Sequence, residues 1–324
     1  VVFKLRINQL TIVFGMALLL HVGFAFFLPG FSRPDNLLTL LQNVAILGIL
    51  GLGMAVVVIG RGIDISLVAA LAVPAGMLLQ LVQNGHPVES AFVLAFGLSL
   101  ALGLFTGWLV AFAEVPALFA TLATGLFLAG FGQAFIFQLE VVQWPPALDP
   151  VGWVGRGTVM GIPAPLVMFA VVAVLVSFFL QFLRAGRYIY ALGDNPFAAR
   201  ATGLPSRQTI VLSYVVVALI GLFAGLVMAA SVNSMPTRVY NSTLVYDVIL
   251  VVVLGGIGLS GGRGGVLHVV AGTLLIGTLL NGMTLMDLGY SIQNIVKGLV
   301  LLAAILLDTV LNPRNEETAQ QGDI

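Results

Sequence analysis

Apolar residues in this chain arrive in long unbroken runs, with polar positions confined to the gaps. The runs cover approximately 10–28, 37–59, 67–82, 91–113, 117–138, 163–183, 209–231, 247–259, 266–285 and 290–309. Most approach the roughly 20 residues that a helix needs to cross a bilayer. The pattern predicts an all-α polytopic membrane protein of about ten transmembrane helices. Two runs, 67–82 and 247–259, are short or interrupted by glycine. Such breaks are tolerated at membrane depth only where protein or a wet cavity satisfies the freed backbone groups. The first run follows Lys4 and Arg6, exceeds a signal-peptide core and lacks a small-x-small cleavage site, so it reads as a retained helix. The predicted organisation is a cytoplasmic segment 1–9, a single transmembrane domain 10–311 and a cytoplasmic tail 312–324.

Composition narrows the class. With 60% hydrophobic and 8% charged residues, a water-soluble domain and a disordered chain are both excluded. Thirteen Lys+Arg balance thirteen Asp+Glu, so no net field recruits nucleic acid. The absence of cysteine removes disulfides and thiolate chemistry, and no His-Glu-x-x-His or carboxylate cluster predicts a metal site. The basic residues are distributed unevenly. With ten crossings, Lys4, Arg6, Arg61, Arg184, Arg187, Arg200, Arg207, Arg263 and Arg314 share one side. Only Arg33, Arg156 and Arg238 fall on the other. The positive-inside rule makes the first side, with both termini, cytoplasmic. Lys297 lies about 10 Å into the last span at 1.5 Å per residue, and is predicted to face protein or to snorkel.

Local signals mark three further features. Glycine pairs at four-residue spacing, Gly103/Gly107 and Gly221/Gly225, suit close helix contacts. Residues 56–66 and 251–260 echo one another, each joining a valine-rich span to a glycine-rich break. Gly62, Gly255 and Gly256 mark these breaks; beside the first, Asp64 and Ser66 are placed to cap freed backbone N–H groups. The third feature is the polar stretch 184–208. Asn195 suits an N-cap, Pro196 the first helical position and Gly203 a stop, which predicts a short helix between them. A helix of under two turns is unstable alone, so it is expected to dock on something.

Ala185-Gly186-Arg187, Tyr190 through Pro196, Ala198-Ala199 and Thr202 through Pro205 resemble the coupling loop of ribose-type ABC importer permeases. Gly62-Ile63-Asp64-Ile65-Ser66, Pro116 through Gly125, Leu254-Gly255-Gly256, Gly261 through Gly264 and Gln293 through Gly298 carry the same resemblance. It extends from about residue 37 to 309, with two departures: Arg61 stands where a small residue is usual, and Pro74 interrupts the following helix. The resemblance implies a permease subunit in a bacterial inner membrane, importing a monosaccharide or small polyol such as autoinducer-2. The implied partners are one or two ABC ATPase subunits that hold ATP and Mg, a second permease chain and a periplasmic sugar-binding protein. It assigns the ATPase contact to Arg187, Gly193, Asn195, Pro196, Ala198, Ala199, Arg200 and Gly203.

Other function classes fare worse. No Gly-x-x-x-x-Gly-Lys-Ser/Thr is present, so no nucleotide cradle is expected in this chain. Gly258-Leu259-Ser260-Gly261-Gly262 matches a nucleophile elbow, but none of His21, His86 and His268 is placed by the sequence as its oriented base. An ion-coupled secondary transporter would need membrane-depth carboxylates, whereas Asp64 and Glu114 fall near turns. Neutral polar residues on the spans, Asn43, Thr121, Thr124, Asn281 and Asn294, offer exchangeable hydrogen bonds. Of these, Asn43, Thr121, Asn281 and Asn294 are the expected lining of a polyol path.

Overall fold

The computed structural model describes residues 9–137 and 139–311. The expected terminal segments, with Lys4, Arg6 and Arg314, lie outside the described residues apart from Gln9. In chain order come α1 (Gln9–Phe27), α2 (Pro34–Ile59), α3 (Leu67–Gln83), α4 (Val88–Ala111) and α5 (Ala117–Phe131). Then follow β1 (Val141–Gln143), α6 (Asp149–Arg156), β2 (Thr158–Val159), β3 (Ile162–Pro163), α7 (Ala164–Phe182), α8 (Arg184–Asp194) and α9 (Pro196–Ala201). The chain closes with α10 (Ser206–Val232), β4 (Ser234–Pro236), α11 (Leu244–Gly255), α12 (Val266–Leu285) and α13 (Tyr290–Leu311).

Among the described residues, 7 helices are long and apolar enough to cross a membrane: α1, α2, α4, α5 continued to Ile136, α7, α10 and α12. Three shorter apolar helices, α3, α11 and α13, occupy the remaining expected runs. The main shift is in α11, which starts at Leu244 and stops at Gly255 because Gly256 turns left-handed at φ 99°. The stretch between α5 and α7 holds structure that periodicity does not show. There β1 pairs antiparallel with β4, Val142 opposite Met235, and α6 opens with Asp149-Pro150. Two or three residues per strand are too few to display alternation.

Contacts between loops sort the helix ends into two groups, as a chain that crosses back and forth requires. At one end Arg207 pairs with Glu114 at 3.0 Å, and Arg61 reaches the 194 and 260 segments. At the other, Gln83 reaches Gln143, Arg156 reaches Asn233, and β1 meets β4.

The buried centre is α2 with α3 and α10. From Val44 to Ile59, α2 is buried almost continuously, whereas α1 buries only Val13 and Ala17. Backbone contact with α10 depends on the two predicted glycine pairs. A Cβ at Gly103 would sit 2.6 Å from the Cα of Val215, and one at Gly107 2.6 Å from that of Val211. On the other side of α10, a Cβ at Gly225 would overlap the carbonyl oxygen of Leu71. The close approach lets Ser99 donate to the carbonyl of Ala218 at 2.7 Å, a polar link between α4 and α10 within apolar surroundings.

Gly107→Leu should therefore drive α4 from α10 and cost about 1–3 kcal/mol or more of stability. Gly97→Leu, on the same helix but with nothing within 4 Å, should leave stability unchanged or slightly raised. Thermal unfolding of the two detergent-purified variants checks the contrast.

Candidate functional site

Asn195 is extended at φ -147°, and its side-chain oxygen accepts from the N–H groups of Phe197 and Ala198 at 3.1 and 3.0 Å. Gly203 closes α9 at φ 77°, with Leu204 N–H donating to the Ala199 carbonyl at 3.1 Å. The helix between Asn195 and Gly203 thus has the ends its residues predict. Its faces differ from expectation in one respect. Ala199, which the resemblance assigns to the ATPase contact, is buried against its own protein. Arg187, Ala198 and Arg200 are exposed, and so is Phe197 at 50%. Phe197 is the large apolar group of the outer face, and the sequence reading passed over it. An aromatic ring following a capping Asn-Pro in a polar stretch was the available signal.

The first half of this stretch is also helical, which the sequence reading missed. Gly186 and Gly193 look like helix breakers, yet both sit inside α8 because neighbouring backbone leaves no room for a Cβ. At Gly186 that backbone is Leu180, and at Gly193 it is the carbonyl of Ile59. The helix buries Ile189 and Leu192. Tyr190 donates to the Gly264 carbonyl at 2.9 Å, and burial pushes its phenol above the usual range.

These contacts bring the loop helices onto both glycine breaks. Gly262 N–H, just beyond the second echoing segment, donates to the Ile59 carbonyl at 2.8 Å, and Arg61 donates to the Ser260 carbonyl, so the two breaks meet directly. In the first break, Gly62 has no room for a Cβ beside Val57 and Tyr214. Asp64 is buried and accepts from the Ser66 hydroxyl at 2.5 Å. Burial pushes its carboxyl up to about 6, opposed by the Ser66 hydroxyl and by the N–H groups of Ser66 and Leu67 at the start of α3. Ser66 makes no side-chain cap bond to α3; its hydroxyl is spent on Asp64. In the second break, Gly255 packs on the His268 carbonyl, and Gly256 makes the left-handed turn. Beside the junction lies a cavity of about 820 Å³ lined by Gly62, Glu114, Arg200, Arg207 and Tyr214 among others.

The expected path residues divide. Asn43 and Asn281 share a second cavity of about 330 Å³, at the opposite end of α2, with Asn36, Thr39 and Thr284. Within it Asn36 and Asn281 exchange paired amide hydrogen bonds, both 2.9 Å. Thr121 is not there: it is buried in α5 and donates to the Ala117 carbonyl at 2.8 Å. Asn294 lies on α13 outside this lining, and its side-chain oxygen is buried without a partner among the described residues. Asp247, which the sequence reading did not single out, lines the cavity. Its carboxylate lies 2.8 Å from Lys297, whose ammonium also donates to Thr243 at 2.8 Å. Both side chains are nearly buried, at 8% and 11% exposure, so Lys297 faces protein rather than snorkelling. No periodicity links residues 50 positions apart, and Asp247 stands as the first residue of its run.

Comparison with known proteins places this arrangement. The chain is 33% identical over 282 residues to the ribose import permease protein RbsC of Escherichia coli K12, covering 86% of this chain and 87% of that one. The Bacillus subtilis protein of the same name is 34% identical over 294 residues, covering 86% of each. The xylose transport system permease protein XylH of Haemophilus influenzae is 29% identical over 371 residues, covering 95% of this chain and 98% of that one. No solved structure matches the chain. The family model described as the branched-chain amino acid transport system / permease component matches residues 36–305, and the chain belongs to that permease family.

Proposed function

We propose that this chain is the membrane permease subunit of an ABC importer that moves a monosaccharide into the cytoplasm by ATP-driven alternating access. The observation that carries the reading is the capped helix α9. It stands at the helix ends that share the basic loops, presents Phe197 and Arg200 outward, and follows directly on Asp194, which Arg61 ties to the junction of both glycine breaks. An ABC ATPase that holds ATP and Mg would grip its outer face. A second permease chain would complete the pathway, and a periplasmic binding protein would deliver the solute. Full-length similarity to ribose and xylose permeases supports the sugar class. This chain supplies the passage and the coupling loop, with hydrolysis in its partner. Placing Arg61, Arg184, Arg187, Arg200, Arg207 and Arg263 in the cytoplasm puts α9 and both termini there, within a single permease unit.

The cavity with Asn43 and Asn281 forms part of the passage in this reading. Asp247 is the membrane-depth carboxylate that ion coupling would use, but Lys297 neutralises it in place. That leaves a polar lining without a deep charge well, suited to a neutral polyol.

Four measurements test the proposal. In vesicles holding the chain with its ATPase and binding protein, sugar uptake should require ATP hydrolysis; uptake driven by an ion gradient without ATP would refute it. Phe197→Ala should lower ATPase retention on purification and uptake alike, with melting unchanged, because the ring faces outward. Asp247→Asn should strand a buried ammonium and cost about 3–5 kcal/mol of stability, largely recovered when Lys297→Met is added; equal stability of the single variant and wild type would refute a buried pair. The chain has no cysteine to remove, so single cysteines at Asn84 and Gln208 should label from outside and inside respectively. The reverse pattern would invert the topology.

A further inference from the structure

Arg61 takes a left-handed backbone conformation, φ 66°, that glycine adopts without steric cost and that strains an arginine. Its side chain shows what the strained position achieves. Nε donates to the Ser260 carbonyl at 2.7 Å, and Nη2 donates to the Asp194 carbonyl at 3.2 Å. Asp194 is the last residue of α8, immediately before the cap of α9, where a cation also meets the negative end of the helix. Ser260 belongs to the break after α11. One guanidinium therefore ties together the α2–α3 turn, the α11–α12 turn and the root of α9.

The same three segments touch through backbone. Gly193 lies flush on the Ile59 carbonyl, and Gly262 N–H donates to that same oxygen. Packing of this kind resists a push of the loop toward the membrane; against a pull, Tyr190 holds α8 to the second break through the Gly264 carbonyl, and Arg61 holds the end of α8 to the first. A transport cycle that alternates between two states needs both strokes. The forked guanidinium can hold two carbonyls in different segments at once, which an ammonium on a flexible stem does less well.

We propose that Arg61 is a positioning residue that carries motion of α9 into the two glycine breaks, linking the ATP-driven loop to the transmembrane helices in both directions. The proposal rests on the importer reading above. Its test uses the complete complex of this chain, ATPase and binding protein in vesicles, measuring sugar moved per ATP hydrolysed. Arg61→Gly removes the guanidinium and at the same time relaxes the left-handed backbone, so assembly and melting should be kept. Losing two charge-assisted hydrogen bonds should then lower the transport-to-hydrolysis ratio on the order of tenfold. Arg61→Lys, with one point donor, should fall between. An unchanged ratio in Arg61→Gly overturns the proposal. So does a lowered melting temperature or lost ATPase, which would make Arg61 a structural brace. Absence of ATP-dependent uptake in the wild-type complex would instead refute the importer reading itself.

Discussion

Backbone pressed against backbone is the constraint on which this structure depends. In a lipid surround, helices gain little from apolar association, so they are held by close packing and by the polar links that close packing permits. Around α10 the glycines provide that approach: Gly103 and Gly107 admit it from α4, and Gly225 admits α3. The Ser99 to Ala218 hydrogen bond exists only because those axes are so near. The same device recurs where α8 lies on the end of α2, with Gly193 against Ile59. A rigid bundle and a seated loop are thus products of one kind of contact.

The polar chemistry is organised around that bundle in two places. At the end that carries the basic loops, the two glycine breaks converge with the root of α9; Arg61 donates to carbonyls of the second break and of α8, while the Ser66 hydroxyl donates to the buried Asp64. At the other end, amides from α2 and α12 line a cavity beside the paired charges of α11 and α13. A buried lysine next to a buried aspartate is costly for either alone and tolerable together. In the proposed importer, the first place receives motion and the second receives solute.

The helix plan and the loop helix were legible because their causes are local. Run length identifies a span; Asn195, Pro196 and Gly203 define α9 through hydrogen bonds and backbone angles a few residues apart. The same local rules miss α8, because glycine disfavours a helix and only the neighbouring backbone shows why Gly186 and Gly193 are small. Nor do they orient α9, whose Ala199 turns inward, because a helix of so few residues has no periodicity strong enough to do so.

By itself the sequence determined the membrane class, the expected spans, the two breaks, the glycine contacts and the capped helix, all consequences of run length, spacing or short-range chemistry. Tertiary structure alone decided the partners across the chain: Asp247 with Lys297, Asn36 with Asn281, and Arg61 with Ser260 and Asp194. These pairs lie 50 to 245 positions apart. No periodic pattern reaches so far, because which two helices adjoin is settled only when the whole set packs together.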